Sequence, residues 1–206
     1  MSTAILDYDA GNLTSVQRAL AHLGHDAVVT ADPQVVDSAD RVIFPGVGAA
    51  GSCMASLNTK GLGDAIRRAV ARDKPVLVIC VGMQLLFERS AEDGGVPCLG
   101  ILPGSVERFT PADHAIKVPH MGWNPTQLTD AALGVGIAPD SCFYYVHSYH
   151  CVPGPSVQVI ATADHGGSFC AGVRRGNLAA LQFHPEKSGD VGLRLIRNFL
   201  AGSLRS

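Results

Sequence analysis

Cys80, His184 and Glu186 are the residues of this sequence whose types and spacing could carry out an acyl transfer. A cysteine attacks as the thiolate, so it needs a base to take its proton, and the base needs a partner that fixes its tautomer. In "LQFHPEKSG", residues 181–189, His184 and Glu186 lie two positions apart. In an extended segment such residues point to the same side, so the carboxylate can hydrogen-bond the imidazole. Pro185 between them fixes its own φ and biases His184 away from helix. Cys80 lies in "VLVICVGMQLLF", residues 76–87, where an aliphatic run gives way to a helical pattern. A sharp strand-to-helix turn would lift the thiol clear of its neighbours and set it at a helix N-terminus, where unpaired N–H groups favour a thiolate. Such turns read small-x-nucleophile-x-small, and here Gly82 supplies only the second small residue. Taken alone, Cys80 also fits a buried core cysteine, and His-Pro-Glu a surface tripeptide. A His-Pro-Glu between a buried strand and a helix, in a chain with a cysteine elbow, favours the chemistry.

The oxyanion formed by thiolate attack needs donors. Pro45-Gly46-Val47-Gly48 follows the aliphatic run Arg41–Phe44, at the end of a strand where an α/β sheet opens its ligand crevice. The candidate oxyanion donors are therefore the Val47 and Gly48 loop and the N–H of Val81. An ordinary glycine turn fits the same loop.

These residues need a scaffold, and the apolar patterning outlines one. Residues 4–8 predict a first strand, and Leu13, Val16, Leu20 and Leu23 recur at helical spacing before Gly24. Strands are expected at 27–30, 41–44 and after Pro75, with helices over 49–58, 62–72 and 81–88. Strands alternating with helices predict an α/β fold with a mostly parallel central sheet covered by helices on both faces. From Leu99 to Ala180 the chain is rich in Gly, Pro and His, with short β-like runs at 106–109, 142–147, 157–163 and 169–173. That half reads as an antiparallel or mixed extension of the sheet. A last strand is expected at 178–183 and a last helix at 189–201. No repeat or linker interrupts residues 1–206, which read as a single domain.

Hydrophobic residues make up 47% of the 206, enough for a core without metal or disulfide staples. The net charge of −2, with scattered Lys and Arg, argues against a nucleic-acid surface. No uncharged stretch approaches the roughly 20 residues that span a bilayer, and no secretory leader is read at the start. A soluble, cytoplasmic protein is the expectation. The six cysteines contain no Cys-x-x-Cys pair and are too dispersed for zinc. All but Cys80 read as small buried hydrophobes, and no cofactor or metal is expected.

The chain resembles the class I, triad-type glutamine amidotransferases over nearly its whole length. The resemblance is carried by "LDYDAGNL" at 6–13, "PGVG" at 45–48, "CVGMQLLFE" at 80–88, "VPHMGWN" at 118–124, "FYYVHSYH" at 143–150 and "FHPEKSG" at 183–189. The Cys80 and His-Pro-Glu motifs mark the class. "VPHMGWN" and "FYYVHSYH" are similar to the branch that serves imidazole glycerol phosphate synthase in histidine biosynthesis. The resemblance implies a flavodoxin-like glutaminase that hydrolyses glutamine to glutamate and ammonia. The ammonia would pass to a (β/α)8-barrel cyclase partner in a heterodimer, which joins it to the ribulosyl intermediate PRFAR and releases imidazole glycerol phosphate and AICAR. It further implies Cys80 as nucleophile, His184 as base and then acid, and Glu186 as the orienting carboxylate. Gly48, Val81, Gln84, Glu92, His147, Ser148 and Tyr149 would hold glutamine. Asn12, Pro119, Met121, Trp123 and Lys187 match positions at the interface with the partner and at the ammonia gate.

Val78 and Asp9 stand where the family carries glycine. Small alanine or glycine residues from the surrounding helices are expected around Val78, leaving Cys80 a normal elbow. Rival readings are the glutaminase of an anthranilate or aminodeoxychorismate type, a non-catalytic regulatory module on this fold, and a free-standing cysteine hydrolase. Met83, where the first type carries histidine, speaks against that reading. The intact Cys80, His184 and Glu186 speak against the module, and the apolar Met121-Gly-Trp123 loop, purposeless without a partner, against the free-standing hydrolase.

Overall fold

The structure of the protein, a computed structural model, describes residues 1–9 and 12–202. Thr3–Leu6, Arg41–Phe44, Val76–Ile79 and Leu178–Leu181 are strands buried at every position. Continuous burial without alternation is what a parallel sheet covered on both faces requires. With Val28–Thr30 they form a parallel array in the order Val28–Thr30, Thr3–Leu6, Arg41–Phe44, Val76–Ile79, Leu178–Leu181. This is the doubly wound 2-1-3-4-5 order, which opens a crevice beyond the carboxyl ends of its strands.

Successive strand residues feed opposite cores. Leu6, Val42, Phe44, Val76, Val78 and Ala180 pack with Cys53, Met54 and Leu57 of the Ala50–Thr59 helix and with Leu62, Ala65 and Ile66 of the Leu62–Ala71 helix. Ile5, Ile43, Leu77, Ile79, Ala179 and Leu181 pack on the other face with Val16 and Leu20 of the Leu13–His22 helix. Leu195, Ile196 and Phe199 of the Gly189–Leu200 helix complete that layer.

The sheet continues as the mixed extension expected. Ser168–Arg175 runs antiparallel to Leu178–Leu181, followed by Tyr149–Pro153, Gly104–Arg108, Arg89–Ser90 and Val96–Pro97. Gln158–Asp164 pairs with Ser168–Arg175 and with Gln127–Leu128. A separate antiparallel pair, His120–Pro125 with Cys142–His147, stands over the carboxyl ends of the parallel strands.

Several expectations are corrected. The helix after Cys80 spans Val81–Leu85 and does not reach residue 88. The carbonyls that would continue it are taken by a returning loop: Leu99 N–H bonds Leu85 O, Ile101 and Leu102 N–H bond Leu86 O, and Gly100 N–H bonds Phe87 O. The last parallel strand ends at Leu181, two residues short of the reading to 183. A short helix, Pro33–Ser38, had no counterpart in the sequence reading, although Asp32 caps it by accepting from Gln34 N–H at 2.8 Å. Met121-Gly-Trp123 is part of the His120–Pro125 strand and not a loop. All six cysteines are free thiols, but Cys142 is exposed and Cys98 half-buried. No helix among the described residues is long and apolar enough to cross a membrane.

Candidate active site

Cys80 occupies φ 54° and ψ −117°, a conformation that costs a non-glycine residue strain and persists only where its surroundings impose it. They do so through the backbone: Cys80 N–H donates to Leu181 O at 2.7 Å, and Cys80 O accepts from Met83 N–H at 2.9 Å. The turn leaves no room at Gly82, where a Cβ would lie 2.8 Å from Phe44 O and 3.0 Å from Val78 Cγ1. The Val78 isopropyl group thus occupies space that glycine at 82 vacates, and Ala180 lies beside Val78 in register on the neighbouring strand. Compensation comes from the elbow helix itself and from a strand. Val78→Gly should therefore leave a cavity and loosen the strand, lowering stability by about 2–4 kcal/mol. A thermal melt checks this, and a higher melting temperature together with faster turnover would mark Val78 as strained instead.

Asp9 takes φ 64°, the left-handed conformation that favours glycine. Its carboxylate offsets the strain by bonding Lys60 Nζ and Ser56 Oγ at 2.8 and 2.9 Å. The Lys60 and Ser56 hydrogen bonds hold its pKa below the ordinary value.

Beyond the strand ends lies a cleft of about 320 Å³ lined by Val47, Gly48, Cys80, Val81, Gln84, Glu92, Pro119, Val146, His147, Ser148 and Tyr149. Its volume suits an amino-acid-sized ligand. Every expected oxyanion and substrate residue is therefore gathered here, joined by Pro119, which was expected at the gate, and Val146, which was not anticipated. Gly46 supports the loop from behind: a Cβ there would lie 2.5 Å from Val81 Cγ1 and 3.0 Å from Gly82 N. Glu92 Oε2 accepts from Ala50 N–H at 2.7 Å, and burial raises its pKa against that bond.

His184 Nδ1 donates to Glu186 Oε1 at 2.7 Å, with both side chains buried. The pair meets across a 3₁₀ turn, Pro185–Lys187, and not along the extended segment expected from the spacing. His184 Nε2 makes no hydrogen bond in this structure, and catalytic hydrogen bonds of unliganded sites often tighten only when substrate binds. The Cys80 thiol is nonetheless near enough for its charge to act on the ring. Burial is the strongest influence and pushes the imidazole down, but the nearby charge of Cys80, then the hydrogen bond and charge of Glu186, outweigh it. The net result is a His184 pKa raised to about 10.

The backbone of His184 is pinned on both sides. Its N–H donates to Tyr144 O at 2.9 Å, while Ser188 Oγ donates to His184 O at 2.6 Å and accepts from Tyr144 N–H. Asn12, expected at the interface, turns its Nδ2 onto Glu186 Oε1. Met121 and Trp123 project from the outer strand, 64% and 57% exposed. Lys187 is exposed, its Nζ 5.9 Å from the Tyr144 ring centre.

Sequence reasoning named Gln84, His147 and Tyr149 but missed Gln182 and His120, which complete a polar layer under the cleft. Gln84 Nε2 donates to Tyr149 O and to Gln182 Oε1, each at 3.0 Å. With both amide hydrogens used, Gln84 can offer a ligand only its oxygen. Gln182 Nε2 in turn faces Cys80 Sγ at 3.8 Å. His147 Nδ1 also bonds Tyr149 O, at 2.7 Å, and its Nε2 bonds His120 Nδ1 at 3.0 Å. Burial lowers His147 to about 3 and His120 to about 4, so both rings are neutral at pH 7.

Taken together, the fold and the elbow define a class. The chain belongs to the glutamine amidotransferase class-I family, whose model matches residues 4–202. Within it, the chain is 49% identical over 199 residues to the imidazole glycerol phosphate synthase subunit HisH of Acinetobacter baylyi, covering 96% of each. It is 52% identical over 202 residues to the HisH subunit of Nitratidesulfovibrio vulgaris, covering 95% of this chain and 94% of the relative. Among solved structures, a glutamine amidotransferase from Thermotoga maritima shares the fold, with a TM-score of 0.70 at 14% identity over 100% of this chain and 99% of that one.

Proposed function

We propose that this chain is the glutaminase subunit of an imidazole glycerol phosphate synthase of histidine biosynthesis, acting as one domain through Cys80, His184 and Glu186. The observation that carries the reading is the buried His184–Glu186 pair beside a strained cysteine that lines the cleft. Near full-length identity to HisH subunits supports the assignment within the family.

In the proposed reaction the Cys80 thiolate attacks the side-chain amide carbon of glutamine, forming a C–S bond. The carbonyl oxygen becomes an oxyanion received by backbone N–H groups of Val81 and of the Val47–Gly48 loop. Protonated His184 gives its proton to the amide nitrogen, the C–N bond breaks and ammonia leaves a thioester. His184, now neutral, takes a proton from water as that water attacks the thioester. Glutamate departs, the thiolate is restored and His184 is protonated again. Glu186 holds Nδ1 so that Nε2 makes both transfers. Gln84, Glu92, His147, Ser148 and Tyr149 position the amino-acid end of glutamine.

The partner is a cyclase of (β/α)8-barrel form, docked on the face bearing Asn12, Met121, Trp123 and Lys187 and receiving ammonia past Pro119. Exposed large apolar residues on a strand above the cleft support that face, since aromatic anchors often dominate interface energy. No nucleic acid or membrane takes part, and the complex works in the cytoplasm. Reconstitution tests the reading. The lone chain should hydrolyse glutamine slowly, and adding the cyclase with its substrate should raise glutamate release by about 10²-fold or more, the scale of one oxyanion donor gained. Equal turnover with and without the partner would refute it.

A further inference from the structure

We propose that Gln182 is a catalytic residue that stabilises the Cys80 thiolate through an N–H donor whose direction is imposed by Gln84 and Tyr149. The inference rests on the reading of Cys80 as nucleophile. The sequence leads one to expect that a helix N-terminus favours the thiolate, but the helix that starts at Val81 has five residues. A macrodipole sums over aligned peptides, so a helix this short contributes little. His184 Nε2 makes no hydrogen bond to the sulfur here, whereas the Gln182 amide, fully buried, faces Sγ at 3.8 Å and adds a donor beside the imidazole.

The polarity of that amide follows from its neighbours. The Tyr149 carbonyl can only accept, so the Gln84 group that faces it must be the NH2. The second hydrogen of that NH2 points at Gln182, which must therefore present its oxygen to Gln84. That leaves the Gln182 NH2 directed at Cys80. The opposite orientation would turn a carbonyl oxygen on the sulfur and favour the neutral thiol. A donor to the charged form favours that form, and one excluded from water is not screened. During turnover the same N–H would hold the sulfur as the C–S bond breaks and the thiolate returns.

The test measures Cys80 alone. Full-length protein is treated with iodoacetamide across a pH series, and alkylation of the Cys80 peptide is quantified by mass spectrometry, which separates it from exposed Cys142. In Gln182→Met, similar in length and without the donor, the pH midpoint of Cys80 alkylation should rise by about one unit. In Gln182→Glu, isosteric and with an acceptor in place of the donor, it should rise further. With the cyclase present, glutaminase kcat of Gln182→Met should fall about ten-fold while KM changes less than two-fold. A purely structural glutamine would lower the melting temperature and leave the midpoint unmoved, and that result in a folded variant overturns the proposal. If Gln182→Met does not fold, Gln182→Glu decides by the same midpoint. The alkylation readout involves no glutamine, so a shifted midpoint in a chain without glutaminase activity upholds the donor and refutes the functional reading instead.

Discussion

Replacing Cys80 with serine is expected to abolish glutamine-dependent synthesis by the complex, by on the order of 10³-fold or more, while synthesis from added ammonium salts survives. Serine fits the space of cysteine and leaves the backbone bonds of residue 80 to Leu181 and Met83 in place. The elbow and the partner face should therefore persist. A hydroxyl, however, ionises far less readily than a thiol, and two groups are set to act on residue 80: the His184 imidazole, raised chiefly by Cys80 against burial, and the Gln182 amide aimed at Sγ. Free ammonia bypasses amide cleavage and asks nothing of residue 80. Glutamate release and cyclase product, measured side by side with each nitrogen source, check the result. A Cys80→Ser complex that consumes glutamine at a normal rate would remove Cys80 from the reaction, and one that fails with ammonia would mean that the substitution disturbs the assembly.

The contrast between what could and could not be read in advance has a physical pattern. The parallel half of the sheet was legible because strands buried on both faces are written as unbroken aliphatic runs, as at Val76–Ile79. His184 and Glu186 were legible because they are neighbours in sequence, although a 3₁₀ turn brings them together. Gln182 was not, since its meaning depends on Gln84, 98 positions away, and Cys80, 102 away. The His120–Pro125 strand escaped because its pattern is inverted: His120 turns inward into the buried imidazole layer while Met121 and Trp123 face out. The helix after the elbow was read too long because apolar residues at helical spacing, Met83 with Leu86 and Phe87, continue past Leu85. No local pattern reveals that residues 99–102 claim the carbonyls. The Pro33–Ser38 helix buries only Val36 and so shows no periodicity, and Asp32-Pro33 was its one sequence signal.

His184→Asn should be nearly as damaging as Cys80→Ser, and the pH dependence of the wild type should show why. Asparagine can keep a hydrogen bond to Glu186 but can neither take a proton from the thiol nor give one to the leaving ammonia. Glu186→Gln should cost less, because in the proposed reaction its carboxylate orients the ring and supports its charge without entering the bond changes. The His184 pKa, raised to about 10 chiefly by Cys80 against the opposing effect of burial, keeps the imidazolium present throughout the neutral range. The rate constant kcat/KM should therefore hold from neutral pH upward and fall only as pH rises through about 10, where the proton for the leaving group is lost. The same shift contributes to folding. Histidine in the unfolded chain titrates near 6.5, so the stabilisation is complete below that pH and disappears as pH rises through the folded value of about 10. Wild-type stability relative to His184→Asn should decline across that window. Melting temperatures and glutaminase rates collected over one pH series measure both. An alkaline limb near 6.5, with no decline in relative stability above it, would show that His184 is not held as an imidazolium beside Cys80.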